Sequence, residues 1–281
     1  DYCKLQNLEI LLSLRIRASA AITRAMGEIS ALYGPVVVAA AFGVLLFGGF
    51  VKGAVGFALP MVTISGVGSL MSAEAAIAAI ILPGLITNIQ QAFRNGFGAA
   101  LLTLKKYWRL NFAMFATIGL FAQLIVVLPE PVFFIILGSM VTVVGILQLV
   151  GWRPRFPPRL TARVEWATGL IAGFFGGLAG VWGPPILLYL MARETLKVEM
   201  VRAQGISFLI GSLILLGAHG ISGVLNTETL PFSAWLVIPA VIGMTLGQAV
   251  QDRLPQERFL KATLFVLVLA GLNLLRRGLF A

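Results

Sequence analysis

The sequence predicts an all-α polytopic membrane protein made of two inverted repeats, each a glycine-broken, re-entrant helical hairpin followed by three transmembrane helices. Three observations predict it. Of 281 residues 59% are hydrophobic and only 11% charged, with a mean hydropathy of +0.96; a soluble domain carries about 25% charged residues. The run "FVKGAVGFALP" (50–60) is answered by "FFGGLAGVWGPP" (174–185), glycine-rich and ended by proline in both copies. Loops at matching places in the two halves carry opposite charge bias.

The first 31 residues stand apart. "LEILLSLRIRASAAITRAMGEIS" carries Arg15, Arg17 and Arg24 among apolar residues. It reads as an interfacial amphipathic helix, a first span with charges at its end, or a targeting segment. The lack of a small-residue cleavage site before a long apolar run favours a retained, partly interfacial helix. Repeat 1 then covers 33–151 and repeat 2 covers 162–278. Setting Gly49 on Gly173, 124 residues apart, pairs Phe50 with Phe174, Gly53 with Gly177, Gly56 with Gly180 and Pro60 with Pro184. The same spacing brings Gly96 to Gly220, and with a small shift Gly119, Gln123, Pro129 and Gly145 meet Gly247, Gln251, Pro255 and Gly271. Each half is a broken segment (34–71 and 164–196), a span (74–94 and 199–218) and a two-span hairpin (107–151 and 232–276). The apolar runs 110–128, 132–151, 232–250 and 259–275 approach the length of about 20 residues that crosses a bilayer.

Loop charges set the orientation. Between its second and third elements half one has Arg94, Lys105, Lys106 and Arg109, whereas 219–233 in half two has no Lys or Arg. Between the third and fourth elements half one has only Glu130, and half two has Arg253, Arg258 and Lys261. Basic loops favour the cytoplasm, so equivalent loops lie on opposite faces. Arg153, Arg155, Arg159 and Arg163 place the junction in the cytoplasm. An odd number of crossings must precede it, which a re-entrant segment plus three spans supplies. Arg276 and Arg277 then lie outside, against the tendency. Basic loops also account for the net charge of +10 without a nucleic-acid partner. The lone Cys3 excludes an intrachain disulfide, and the single His219 excludes a two-histidine motif. No metal, cofactor or catalytic constellation is expected.

Non-helical backbone at membrane depth survives only where protein or a wet cavity satisfies it, and inverted repeats with discontinuous helices hold their site near the midplane. Pro60 and Pro184–Pro185 mark the starts of second half-helices, whose free N–H groups and positive dipole ends suit an anion. Candidate substrate contacts are therefore Lys52, Gly53, Gly56 and Pro60 from one broken segment, and Gly177, Gly180, Trp182, Gly183 and Pro184 from the other. The competing reading is close helix packing, since Gly49/Gly53 and Gly173/Gly177 have small-xxx-small spacing. Thr87, Asn88, Gln91, Arg94 and Asn95 form one polar stripe, and Gln204, Ser207, Gly211 and Ser212 form another, with Ser212 opposite Asn88 in the repeat alignment. Asn88, Gln91, Gln204 and Ser212 join the candidates, whereas Thr87 and Ser207 read as interhelical hydrogen bonds. Lys52 either neutralises an anion or snorkels to the surface, because a cation at depth costs a few kcal/mol. Arg94 and Arg202 read as headgroup-level charges near span ends, and His219 as a structural residue at a loop edge. Glu74 and Glu199 are the nearest carboxylates to the membrane interior, and neither is well placed for cation coupling.

"GGFVKGAVGFALP" and "GLIAGFFGGLAGVWGPPILL" resemble the TauE/SafE family of sulfite and organosulfonate permeases, over about residues 33–278. The resemblance implies a multi-pass carrier of the bacterial inner membrane, often exporting, for a small organosulfur anion such as sulfite, isethionate, sulfoacetate or a taurine-related sulfonate. It implies the lipid bilayer as surroundings and no cofactor, and leaves homo-oligomerisation open. Export needs no coupling ion, since each negative charge leaving gains about 2.3 kcal/mol per 100 mV. The alternatives are a proton- or cation-coupled transporter of another small organic anion, and a membrane assembly protein without transport activity.

Overall fold

The computed structural model describes residues 31, 34–121, 127–152, 155–253 and 255–280. The expected N-terminal helix, apart from residue 31, lies outside the described residues, as do Gln123 and Arg153. The chain divides into two compact units, 1–40 and 41–281. Described residues 34–40 of the first open helix α1, and the second holds the remaining elements.

Eleven helices and no strand occur among the described residues. They are α1 Pro35–Val55, α2 Leu59–Val67, α3 Ala73–Ala92, α4 Phe97–Lys106, α5 Trp108–Phe121, α6 Glu130–Leu149, α7 Thr161–Ala179, α8 Gly183–Ala192, α9 Lys197–Ile221, α10 Thr229–Arg253 and α11 Gln256–Phe280, with a 3₁₀ turn at Pro158–Leu160. Five described segments are long and apolar enough to cross a membrane: Pro35–Val55, Ala73–Ala92, Glu130–Leu149, Val198–Ile221 and Thr229–Arg253.

Both glycine-rich runs break a helix where the sequence places the break. After α1 the chain turns through Gly56 (φ 89°) and Ala58 (φ 88°), and α2 starts with Pro60 in its first turn. After α7, Gly180 (φ 66°) caps the helix, and α8 starts with Pro184 and Pro185 in its first turn. Proline is tolerated there because a first-turn N–H has no intrahelical acceptor. Ala58 holds a left-handed conformation that disfavours any side chain.

Two features differ from the sequence reading. The stretch before the 107–151 hairpin forms a separate helix, α4, with Phe97 and Leu102 exposed and Lys105 and Lys106 in the last turn, favourable for the helix dipole. His219 lies in the last turn of α9 and is fully buried, not at a loop edge.

The helices pair as α6 with α11, α5 with α7, α3 with α10 and α3 with α9. Glycine permits the closest approaches. A Cβ on Gly49 or Gly53 would strike the carbonyls of Ala240 and Met244 on α10, and one on Gly243 or Gly247 would strike those of Leu46 and Phe50 on α1. Gly169 and Gly173 on α7 meet the carbonyls of Leu110 and Met114 on α5 in the same way. These positions thus serve the packing role that their spacing allows.

Polar ties gather the helix ends into two groups. Arg94, just after α3, binds Asp252 on α10 with both carboxylate oxygens at 3.0 Å. Lys106 and Tyr107 meet Glu199 at the start of α9, Arg109 lies 3.6 Å from Glu165 near the start of α7, and Arg193 after α8 donates to Thr161. In the other group, Glu130 at the start of α6 accepts from the N–H of Ala73 and lies 3.6 Å from Arg277 of α11, whose guanidinium also covers the Phe134 ring.

Candidate substrate site

A small cavity, with about 30 Å³ of water-accessible volume, lies where the two breaks meet. Phe57, Ala58, Pro60 and Met61 wall it from the first break, and Gly180, Val181, Trp182 and Gly183 from the second. Lys52 of α1, Ile80, Ile81, Gly84 and Asn88 of α3, and Phe208, Ser212 and Leu215 of α9 complete it. Its walls are thus mostly apolar, with a few converging polar groups, as in small-ligand pockets generally.

Lys52 is the one charged residue in those walls, and it is 3% exposed. Its Nζ donates to Thr87 Oγ1 at 2.8 Å and to Asn88 Oδ1. Thr87 passes the chain on by donating to Pro83 O at 2.6 Å. Asn88 Nδ2 donates to Ser212 Oγ at 2.6 Å and to Phe208 O at 3.0 Å. The Asn88–Ser212 bond therefore joins α3 to α9 between two residues 124 positions apart, the spacing of the sequence repeat. No carboxylate partners Lys52 among the described residues; every acceptor it has is neutral. In its ammonium form, a lysine buried on neutral acceptors leaves net positive charge in a site of low dielectric, where an anion gains most.

The first turns of α2 and α8 add to that field. First-turn N–H groups lack intrahelical partners and carry the positive end of the helix dipole. At α8 two of those donors are absent, because Pro184 and Pro185 have no N–H, so Gly183 keeps the first-turn donor nearest the cavity. Trp182 is held by small neighbours: a Cβ on Gly176 would meet its ring at 2.6 Å and one on Gly211 at 3.0 Å.

Of the thirteen residues singled out in the sequence, Lys52, Pro60, Asn88, Gly180, Trp182, Gly183 and Ser212 meet in these walls. Gly53 faces the α10 backbone. Gly177 and Pro184 are buried within α7 and α8 outside the cavity walls. Gly56, Gln91 and Gln204 form a neighbouring cluster: Gln91 Nε2 donates to Gly56 O at 2.9 Å and to Val201 O at 3.1 Å. Neither Arg94 nor Arg202 reaches the cavity, since Arg94 is held by Gln251 and Asp252, and Arg202 donates to Thr103. Ser207 donates to Asn111, an interhelical bond as expected. Thr87, read as such a bond too, is a partner of Lys52. The apolar walls Phe57, Met61, Ile80, Ile81, Val181, Phe208 and Leu215 escaped the sequence reading, because nothing in their chemistry sets them apart from core residues. For Leu215 the repeat carried a usable signal, as it stands 124 residues from Gln91.

Among the described residues no cluster of His, Cys, Asp and Glu could hold a metal ion. Broken helices that meet beside a buried lysine, in a bundle with several apolar segments long enough to cross a membrane, describe a multi-pass membrane protein with an internal pocket. The comparison with protein families gives that class its identity. The model of the sulfite exporter TauE/SafE family matches residues 41–274, and the chain belongs to this family of membrane transporters. No curated protein and no solved structure matches it.

Proposed function

We propose that the protein carries small sulfur-containing anions (sulfite, isethionate, sulfoacetate or related sulfonates) out of the cell across the bacterial inner membrane, by alternating access around the Lys52 pocket. The observation that carries this reading is Lys52 itself: a buried cation with only neutral acceptors, between the first turns of two short helices. The substrate anion supplies the missing countercharge. The remaining wall residues named above, with Asn88 and Ser212, orient it, and Gly56, Gln91 and Gln204 lie beside its path.

The helix pairing supports two inverted halves. Exchanging α1–α6 for α7–α11 in repeat order leaves the close contacts in place: α1 on α10 answers α7 on α5, and α2 on α11 answers α8 on α6. The polar ties support the orientation. One group of helix ends holds Arg94, Lys106, Arg109, Arg193 and Arg202 and suits the cytoplasm. Both ends of the α7–α8 hairpin, at Glu165 and Arg193, belong to it, which supports re-entry. Arg277, the exception on the sequence reading, is paired with Glu130, which weakens its weight as an outside charge. The cavity walls hold no carboxylate, which favours electrogenic uniport over cation coupling.

The test is the current from proteoliposomes on a supported membrane when sulfite or isethionate is added. A transient of the sign of an entering anion, absent from Lys52→Met, is expected. Uptake without current would refute uniport, and neither uptake nor current for any sulfonate would refute the substrate class.

A further inference from the structure

A second cavity lies on the Arg94 side, walled by Arg94, Asn95, Val198, Val201, Gln251 and Asp252. Gly56, Gln91 and Gln204 connect its walls to those of the Lys52 pocket. Gly56 adjoins Phe57, which walls the inner pocket, and Gln91 holds the carbonyl of Val201, which walls the outer cavity. Gln204 reaches the same point: its Oε1 lies 2.7 Å from where a Cβ on Gly56 would stand.

The hydrogen bonding of this cluster is incomplete. Gln204 is 1% exposed, yet neither its Nε2 nor its Oε1 has a partner. Gln91 Oε1 has none either, although Gln91 Nε2 is fully engaged. Each buried polar atom left unpaired costs about 1–3 kcal/mol, so a leucine or methionine at 204 would fold more easily. The repeat-related positions carry no such amides. At the repeat spacing Gly56 and Gln91 correspond to Gly180 and Leu215, and there Leu215 packs against Gly180 with carbon alone.

We propose that Gln204 and Gln91 form a second substrate subsite between the two cavities, through which the anion enters from the Arg94 face, and which reads a proton-bearing group on it. The free Nε2 of Gln204 donates to a sulfur oxyanion. The free Oε1 of Gln204 accepts from the substrate's own O–H, the hydroxyl of a hydroxyalkyl sulfonate or the proton of bisulfite, and Gln91 walls the subsite beside it. An anion without such a donor leaves that acceptor unpaired. The direction and selectivity assigned here rest on anion binding at Lys52; access to Gln204 does not.

Two measurements on the full chain separate these. First, in a Cys3→Ser background, Gln204→Cys is exposed to the membrane-impermeant reagent 2-sulfonatoethyl methanethiosulfonate from one face of sealed vesicles at a time. Asn95→Cys, in the outer cavity, marks the Arg94 face. Gln204→Cys is expected to react from that face only, and more slowly with isethionate present. Reaction from the opposite face, or from neither while Asn95→Cys reacts, overturns the subsite even if the protein transports anions. Second, isethionate and ethanesulfonate differ in one hydroxyl. Isethionate is expected to bind about tenfold more tightly, and Gln204→Met to bind the two alike, since one lost hydrogen bond to a buried acceptor is worth about that factor. Equal binding by the unsubstituted protein, or a preference that survives Gln204→Met, overturns the selectivity. If the unsubstituted protein binds neither anion, the Lys52 reading fails, and the labelling still decides the route.

Discussion

Lys52→Met separates a structural lysine from a substrate-binding one. Methionine keeps the length and apolar stem but removes the charge and the donors. In the apo protein two effects oppose. A lysine at membrane depth costs about 2.5–3.5 kcal/mol on insertion scales, and the substitution relieves this. Thr87 loses a donor but still bonds Pro83 O. Asn88 Oδ1 loses the only donor recorded for it, at about 1–3 kcal/mol. The net is a variant about as stable as the parent, or about 1 kcal/mol more so. Anion binding goes the other way. Losing one partner of a buried, hydrogen-bonded charge pair costs about 2–5 kcal/mol, so a loss of about 3 kcal/mol weakens binding roughly a hundredfold. Thermal unfolding in detergent with increasing sulfite or isethionate reads both. At an anion concentration of about 100 times the parent's Kd, the parent gains about 2.7 kcal/mol, whereas a hundredfold weaker variant gains about 0.4 kcal/mol. The reasoning is refuted if the variant keeps its stabilisation by anion, or if it unfolds several kcal/mol more easily without anion, since Lys52 would then hold up the fold.

Asn88→Asp places a carboxylate against Lys52 and supplies the countercharge internally; anion affinity is expected to fall at least tenfold in the same titration, whereas a purely steric role for Asn88 predicts little change. Gly53→Val drives a side chain into the Met244 carbonyl and is expected to cost about 3 kcal/mol or more, read as loss of the monodisperse peak on size exclusion. Gly43→Ala meets no atom within 4 Å and is expected to be neutral or to stabilise by up to about 1 kcal/mol in thermal unfolding. Glu165→Gln weakens the tie to Arg109, at 3.6 Å and half solvated on the arginine side. It is expected to change stability by less than about 1 kcal/mol with anion affinity unchanged, because burial already disfavours the charged carboxylate and the group lies outside the cavity walls.

The sequence showed where the helices break, because glycine at left-handed positions and proline in a first turn are local requirements that no distant contact can waive. Gly56, Gly180, Pro60 and Pro184 made both breaks legible. The repeat spacing aligned Asn88 with Ser212 as equivalent positions, and the structure adds that these two residues bond each other. What stayed hidden depends on which way a helix faces. Gly53 and Gln204 both suited a substrate, yet one seats against α10 and the other lies in a cluster beside the pocket. Thr87 makes the interhelical bond its sequence position suggested, but its partner, Lys52, 35 positions away on another helix, was not legible. A buried lysine signals function in a sequence, but its partners are fixed only by packing.

The departures from symmetry define what the site can do. At the repeat spacing Lys52 answers to Gly176, Ala58 to Trp182, Ile80 to Gln204 and Gln91 to Leu215. Each pairing sets a charged, polar or large group against a small or apolar one, so the pocket walls hold one lysine rather than two, and the glutamines lie beside one side only. One cation neutralises a monoanion and leaves a dianion half compensated in a low-dielectric site, which disfavours sulfate against bisulfite or a sulfonate. In a carrier with inverted halves, identical repeats would make the two access states equal in energy. On the proposed alternating-access mechanism, the unlike pairs would remove that degeneracy and bias the face on which the empty carrier rests. They do not choose the direction of net flow. For a uniporter that follows the gradients alone, and an inside-negative potential drives an anion outward by about 2.3 kcal/mol per 100 mV. Export thus needs only a site that binds weakly enough to release, a requirement that one lysine with neutral partners meets better than a cluster of cations.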